Sequence, residues 1–137
     1  MPSEYKNEFG QPVGRPVENW KECPMPPRSD MAGHHVIVSP IDVKRDARQL
    51  FDANREAMDG SRFTYLFTDA FTDFDTYQAW LESMAATSDP MLHTIIDKAS
   101  NKAVGIAAFM RIDTKFGGIE IGNINYAPAL SKTIGGT

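Results

Sequence analysis

Residues 91–127 leave this chain few architectural choices. Three apolar runs follow one another there, MLHTIID, AVGIAAFMRID and IEIGNINYA, separated only by KASNK and TKFGG. Each run has the composition of a strand, and links of that length join antiparallel neighbours. A parallel pair would need a crossover of about a dozen residues or more. The segment therefore reads as an antiparallel meander. In its longest run Val104, Ile106, Ala108, Met110 and Ile112 are expected on one face, with Gly105, Ala107, Phe109 and Arg111 on the other.

Upstream the apolar period changes. HHVIVSPI, residues 34–41, is β-branched and closed by a proline, the mark of a strand. Asp42 then stands where a helix N-cap belongs. From there Val43, Ala47, Leu50 and Phe51 share one helical face, and Lys44, Arg45, Arg48 and Arg55 the other. Asp59-Gly60 reads as the turn that ends this helix. Thr72 with Asp75 resembles a capping box, and Phe74, Tyr77, Leu81, Met84 and Ala85 mark a second amphipathic helix.

Residues 1–32 hold six of the nine prolines, so they are expected to be extended. They form either a disordered tail or an arm laid over the domain, anchored by Trp20 and Phe9. The expected fold class is α+β: a mixed, mainly antiparallel sheet with two N-terminal helices. It forms one domain, residues 33–137, behind a proline-rich arm, residues 1–32.

A chain of 137 residues suffices for one core. Its net charge of -4 argues against nucleic acid and anionic membrane as partners, since both favour basic surfaces. The single cysteine, Cys23, excludes an intrachain disulfide and a cysteine-built metal site. With no apolar run near the ~18 residues of a membrane helix, a cytoplasmic setting is expected.

Several residues invite chemistry. His34 and His35 point to opposite faces of a strand, so with His93 they make a poor metal site. Asp69, Asp73 and Asp75 lack the glycine and glutamate of a calcium loop, and helix capping accounts for them better. Cys23 has no nearby histidine to activate it. No metal is expected. Glu120 lies inside a strand, either on a solvent face or in a cleft where desolvation would suit it to general-base work. SKTIGGT, residues 131–137, offers glycines and hydroxyls that suit a phosphate, though adjacent glycines also serve simple flexibility.

Taken in order, these stretches resemble the first half of a GNAT-superfamily N-acetyltransferase, of the branch containing ribosomal-protein N-terminal acetyltransferases. NEFGQPVGRPVENW is similar to the arm before such domains. HHVIVSPIDVKRDARQLFDA is similar to the first strand and helix, and FTYLFTDAFTDFDTYQAWL to the second helix and its approach. KAVGIAAFMRID and GGIEIGNINYAPALSKTIGGT are similar to the third and fourth strands and the loop after them.

The resemblance implies an acetyl-CoA-dependent N-acetyltransferase acting on a primary amine, a protein N-terminus or a small molecule, present as an incomplete domain that by itself can be inactive. It implies Glu120 as general base. Backbone from Asn125 through Tyr126 to Ala127 would polarise the thioester. Residues Ser131, Lys132, Thr133, Ile134, Gly135, Gly136 and Thr137 would cradle the pyrophosphate. The family loop reads Q/R-x-x-G-x-G/A; here Ser131 replaces the first residue, Ile134 the first glycine, and Gly136 alone fits. The family's tyrosine acid belongs to a later helix, and Tyr126 is not at its place. Phe63, Tyr65 and Trp80 are expected either to line the acceptor side or to pack in the core. The alternative is a non-catalytic interaction module that pairs, with itself or another chain, through an open sheet edge.

Overall fold

The computed structural model describes residues 4–55 and 71–137. The elements run β1 (Met31–Ala32), β2 (Val36–Pro40), α1 (Val43–Arg55), α2 (Phe74–Ala85), β3 (Met91–Asp97), β4 (Lys102–Asp113) and β5 (Gly118–Tyr126). A single 3-10 turn, Ile134–Gly136, follows. The strands form one sheet in the order β1-β2-β3-β4-β5, each pair antiparallel. The meander of residues 91–127 is thus present, and the α+β expectation holds. The short β1 was not foreseen: the end of the proline-rich arm pairs with β2, Met31 opposite Val38.

Both helices lie on one face of the sheet. Their apolar sides, with Leu50, Phe51, Tyr77 and Leu81, close over Leu92, Ala103, Ile106 and Ala108. Burial of each large aliphatic side chain stabilises by about 1.5–3 kcal/mol. The other face holds a smaller cluster, in which Val36, Val38, Ala107 and Tyr126 pack on Ile95, Val104 and Leu130.

α1 starts as expected. The Asp42 carboxylate accepts the Arg45 N–H at 3.1 Å, and the Asp46 carboxylate reaches back to the Asp42 N–H at 3.0 Å. Asp46 is 1% exposed. A buried charge is costly unless it is paired and hydrogen-bonded. Here Thr94 Oγ1 donates to it at 2.7 Å and Arg45 Nη2 at 2.8 Å, which joins α1 to β3. That contact with the Asp46 carboxylate raises the Arg45 pKa. At α2 the cap is Asp73 rather than Thr72, because the Asp73 carboxylate accepts the Thr76 N–H at 3.0 Å.

Strict alternation along β4 fails at two places. Ile95 pairs with Gly105 but Ile96 with Ala103, so Val104 is an extra residue. The bulge turns Val104 away from Ile106 and Ala108 and into the cluster on the opposite face. A second extra residue lies between Met110 and Asp113, where Arg111 has φ 48°. The Asp89 carboxylate fixes it by accepting the N–H groups of Arg111 and Ile112 at 3.0 and 2.9 Å.

The arm is laid on the domain. Trp20 Nε1 donates to the Lys115 carbonyl at 2.9 Å, and the Cys23 N–H to the Thr114 carbonyl at 2.8 Å. The other expected anchor, Phe9, is 77% exposed, and its N–H bonds within the arm, to Asn7 Oδ1 at 3.0 Å.

Candidate active site along the outer strand

β5 is the outermost strand, paired only with β4 among the described residues. Its sequence explains its shape. Ile119, Ile121 and Ile124 give it strand propensity, yet all three are exposed. Between the pairs Ala108–Gly122 and Ile106–Asn125 the strand carries one residue more than β4, and Asn123 there has φ 49°. Asparagine tolerates this left-handed backbone better than most residues. The bulge interrupts the ladder in mid-strand and re-aims the backbone there.

Glu120 precedes this bulge, opposite Met110. Its carboxylate lies 3.2 Å from Arg111 Nε, and its side chain is 47% exposed. Met110 Sδ lies against Gly122, where an added Cβ would need that side chain to move, and the Glu120 carboxylate is in ordinary contact beside it. Glu120 thus occupies an open, ion-paired position on the helix side of the sheet, the side of its partner Met110 and of Ala108 two residues before.

Beyond the bulge the strand turns inward. Asn125 is 4% exposed and its Nδ2 donates to Asn54 Oδ1 at 3.1 Å, tying β5 to the end of α1. Asn125 Oδ1 is buried with no partner among the described residues. Tyr126 packs on the second cluster. The Ala127 N–H donates to the Val104 carbonyl at 2.9 Å and is committed to the sheet.

The loop then curls across the sheet end. The N–H groups of Ser131, Thr133 and Gly136 bond to the carbonyls of Ala127, Leu130 and Thr133. Lys132 is exposed and has φ 59°, and Thr137 Oγ1 donates to the Ile134 carbonyl at 2.8 Å. Ile134 is 69% exposed. Packing explains both glycines: a Cβ on Gly135 would meet Val36 at 3.0 Å, and one on Gly136 the Leu130 carbonyl oxygen at 2.6 Å. A cavity of about 460 Å³ opens beside the loop, between Thr133, Ile134 and Gly135 on one wall and His34, His35 and Lys98 on the other.

The remaining candidates are dispersed. Trp80 packs in an aromatic cluster, its ring centroid 5.2 Å from Phe71 and 5.9 Å from Tyr77. Burial pushes the Tyr77 phenol well above its ordinary pKa, and Asp46 adds to the shift. Phe63 and Tyr65 lie outside the described residues. His93 is buried beside Phe109, and its Nδ1–H donates to the Met91 carbonyl at 3.0 Å. Burial lowers its pKa, which favours the neutral imidazole. Among the described residues no three His, Cys, Asp or Glu side chains converge to hold a metal ion, and no helix is long and apolar enough to cross a membrane. Sequence reasoning missed Asn54, Asp89 and the Lys98 wall. Each acts through a partner distant in sequence and has no local pattern.

No family model matches the sequence, and no curated protein does. Solved structures do. A GCN5-related N-acetyltransferase from Brucella melitensis is 33% identical with a TM-score of 0.84, over 88% of this chain and 54% of that one. A protein described as a GNAT-family acetyltransferase from Chromobacterium violaceum is 29% identical with a TM-score of 0.79, over 92% of this chain and 63% of that one. A Vibrio cholerae protein described as a ribosomal-protein-serine acetyltransferase has a TM-score of 0.58 at 12% identity, over 77% and 58% of the two chains, and speaks to fold alone. The chain spans about half to two thirds of the length of these relatives. The described residues, two helices over a five-stranded antiparallel sheet with a bulged outer strand, have the GNAT acyl-CoA N-acyltransferase fold.

Proposed function

We propose that this chain is the donor-strand portion of an acetyl-CoA-dependent N-acetyltransferase that acts on a primary amine. The observation that carries the reading is the outer strand β5. Among the described residues it has no strand neighbour on its outer side, a bulge at Asn123 and a loop that crosses the sheet end, in a chain 33% identical to a GCN5-related N-acetyltransferase. The outer edge of a sheet offers alternating N–H and C=O groups to an extended partner such as the amide-bearing arm of coenzyme A. Acetyl-CoA is the donor substrate and supplies an activated thioester carbonyl.

The roles follow from position. Glu120 takes a proton from the substrate ammonium, directly or through water, so that a neutral amine is presented. Its openness to solvent suits relay through water, and Arg111 lies beside it at 3.2 Å. Backbone beside the bulge, from Asn125 to Tyr126, polarises the thioester carbonyl as negative charge develops on its oxygen. The amine nitrogen bonds to the acyl carbon, the C–S bond breaks, and the thiolate leaves to be protonated. The loop from Ser131 to Thr137 receives the phosphates.

The test is amine-dependent thiol release from acetyl-CoA, with native protein and Glu120→Gln. Release that needs the amine and falls about 10²–10⁴-fold in the variant supports the assignment. Equal rates in both would remove Glu120 from it, and no release with any amine would count against catalysis by this chain.

The exposed row of Ile119, Ile121 and Ile124 favours a second reading, a non-catalytic module that pairs through the β5 edge with a second copy. Light scattering separates the two, since a concentration-independent monomer excludes edge pairing.

A further inference from the structure

We propose that the cavity beside the loop binds a phosphate monoester dianion, held by Lys98 with His34 and His35, and that in the donor this group is the phosphorylated adenosine end of coenzyme A. The identity of the ligand rests on the donor-binding reading of β5; the anion site itself rests on the cavity.

The topology builds it. In an antiparallel sheet the turns at one end alternate. The β1–β2 turn carrying His34 and His35, the β3–β4 turn carrying Lys98, and the loop after β5 all reach the same end. The register fixes this, with Val36 opposite Asp97, Asp97 opposite Lys102 and Gly105 opposite Tyr126. The three segments border an open cavity of about 460 Å³, room for a phosphate and part of its ester, with His34, His35 and Lys98 exposed at its mouth.

The loop does not meet an anion by backbone alone. Three of its N–H groups, on Ser131, Thr133 and Gly136, are spent on carbonyls within residues 127–133. Its glycines are close-packed on Val36 and Leu130. Charge must therefore come from the facing wall. The Lys98 ammonium carries three N–H donors. One of them reaches the Gly33 carbonyl at 3.1 Å, which holds the amine at the cavity. The two imidazoles add donors beside it, their rings 6.4 Å apart. Asp97 also borders the cavity and opposes an anion. Its Oδ2 accepts the Ser100 N–H and hydroxyl, at 2.9 and 2.7 Å, and those bonds turn it into the β3–β4 turn. The opposition makes the site weak rather than absent.

Position selects which phosphate. Neighbouring strands lie about 4.8 Å apart, so β3 and β2 stand about 10 and 14 Å from β5. A ligand extended along β5 reaches that wall only with its far end, and the far end of coenzyme A is the adenosine 3′-phosphate.

Calorimetric titration tests this with two kinds of ligand. Adenosine 3′,5′-bisphosphate addresses the anion site alone. Acetyl-CoA and its 3′-dephospho analogue address it within the donor. Native protein should bind the bisphosphate saturably and prefer acetyl-CoA over the analogue by about tenfold, the worth of a charge-assisted contact. Lys98→Glu should lose both, and Lys98→Gln should weaken both without introducing a repulsive charge. Equal affinity for the two donors, or bisphosphate binding unchanged in both variants, would overturn the assignment even if the donors bind. Bisphosphate binding without donor binding would leave the anion site and remove the coenzyme. Absence of all binding would overturn both.

Discussion

Lowering the pH from 7 to 5 should destabilise this protein through His93, a residue with no part in the proposed reaction. The residue is 2% exposed, and the ring's bond from Nδ1–H to the Met91 carbonyl is available to the neutral form. Burial lowers its pKa, the Met91 contact offsets this in part, and the Arg28 charge adds to the lowering. An unfolded histidine titrates near 6.5. Below that pH the unfolded chain takes up a proton more readily than the folded chain, so stability is lost as pH falls. One proton difference is worth up to about 1.4 kcal/mol per pH unit. Between pH 6.5 and 5 that slope sets a ceiling of about 2 kcal/mol, and the loss stays below it because the folded ring also takes up its proton, at a lower pH. With an unfolding entropy of about 2.1 cal/mol/K per residue, the fall in Tm is at most about 7 °C. The carboxylates of Asp73 and Asp97, lowered by hydrogen bonds from Thr76 and Ser100, act in a separate window at and below pH ~4. Urea denaturation at pH 7, 6 and 5 should show the loss in native protein and a flatter profile in His93→Gln, with His34 and His35 common to both. Parallel profiles would refute the neutral, buried state of His93.

Other expectations are simpler. Asp46→Ala orphans the buried Thr94 hydroxyl and the Asp42 N–H and should cost about 2–4 kcal/mol by urea denaturation. Gly136→Ala drives a methyl against the Leu130 carbonyl oxygen and should speed amide exchange across residues 130–136 while leaving the helices unchanged. Trp20→Ala should release the arm to proteolysis with a Tm change of only a few degrees, because its contacts are to the exposed Lys115 turn.

The sequence spoke clearly wherever a local pattern sets structure. Short links between apolar runs defined three strands, and Asp42 marked the start of α1. It was silent where a distant partner decides. The Arg111 bulge is set by Asp89, twenty-two residues earlier, and its φ has no signature in FMRID. Thr72 and Asp73 are equally good caps on paper, and only the geometry of the turn selects Asp73. The same holds at the site. Glu120 and the loop were visible as residues, but the Asn54–Asn125 tie and the facing of Lys98 on Ile134 need the folded sheet. The glycines of SKTIGGT had two readings, phosphate approach and flexibility. Their packing against Val36 and Leu130 supplies a third.

The most direct test of the central claim is amide exchange along β5 with and without saturating acetyl-CoA. Donor binding along the open edge predicts slowed exchange at residues 119–126 and in the loop to residue 136, with the interior strand β3 unaffected. Unchanged exchange on β5, or protection confined to other elements, would contradict it.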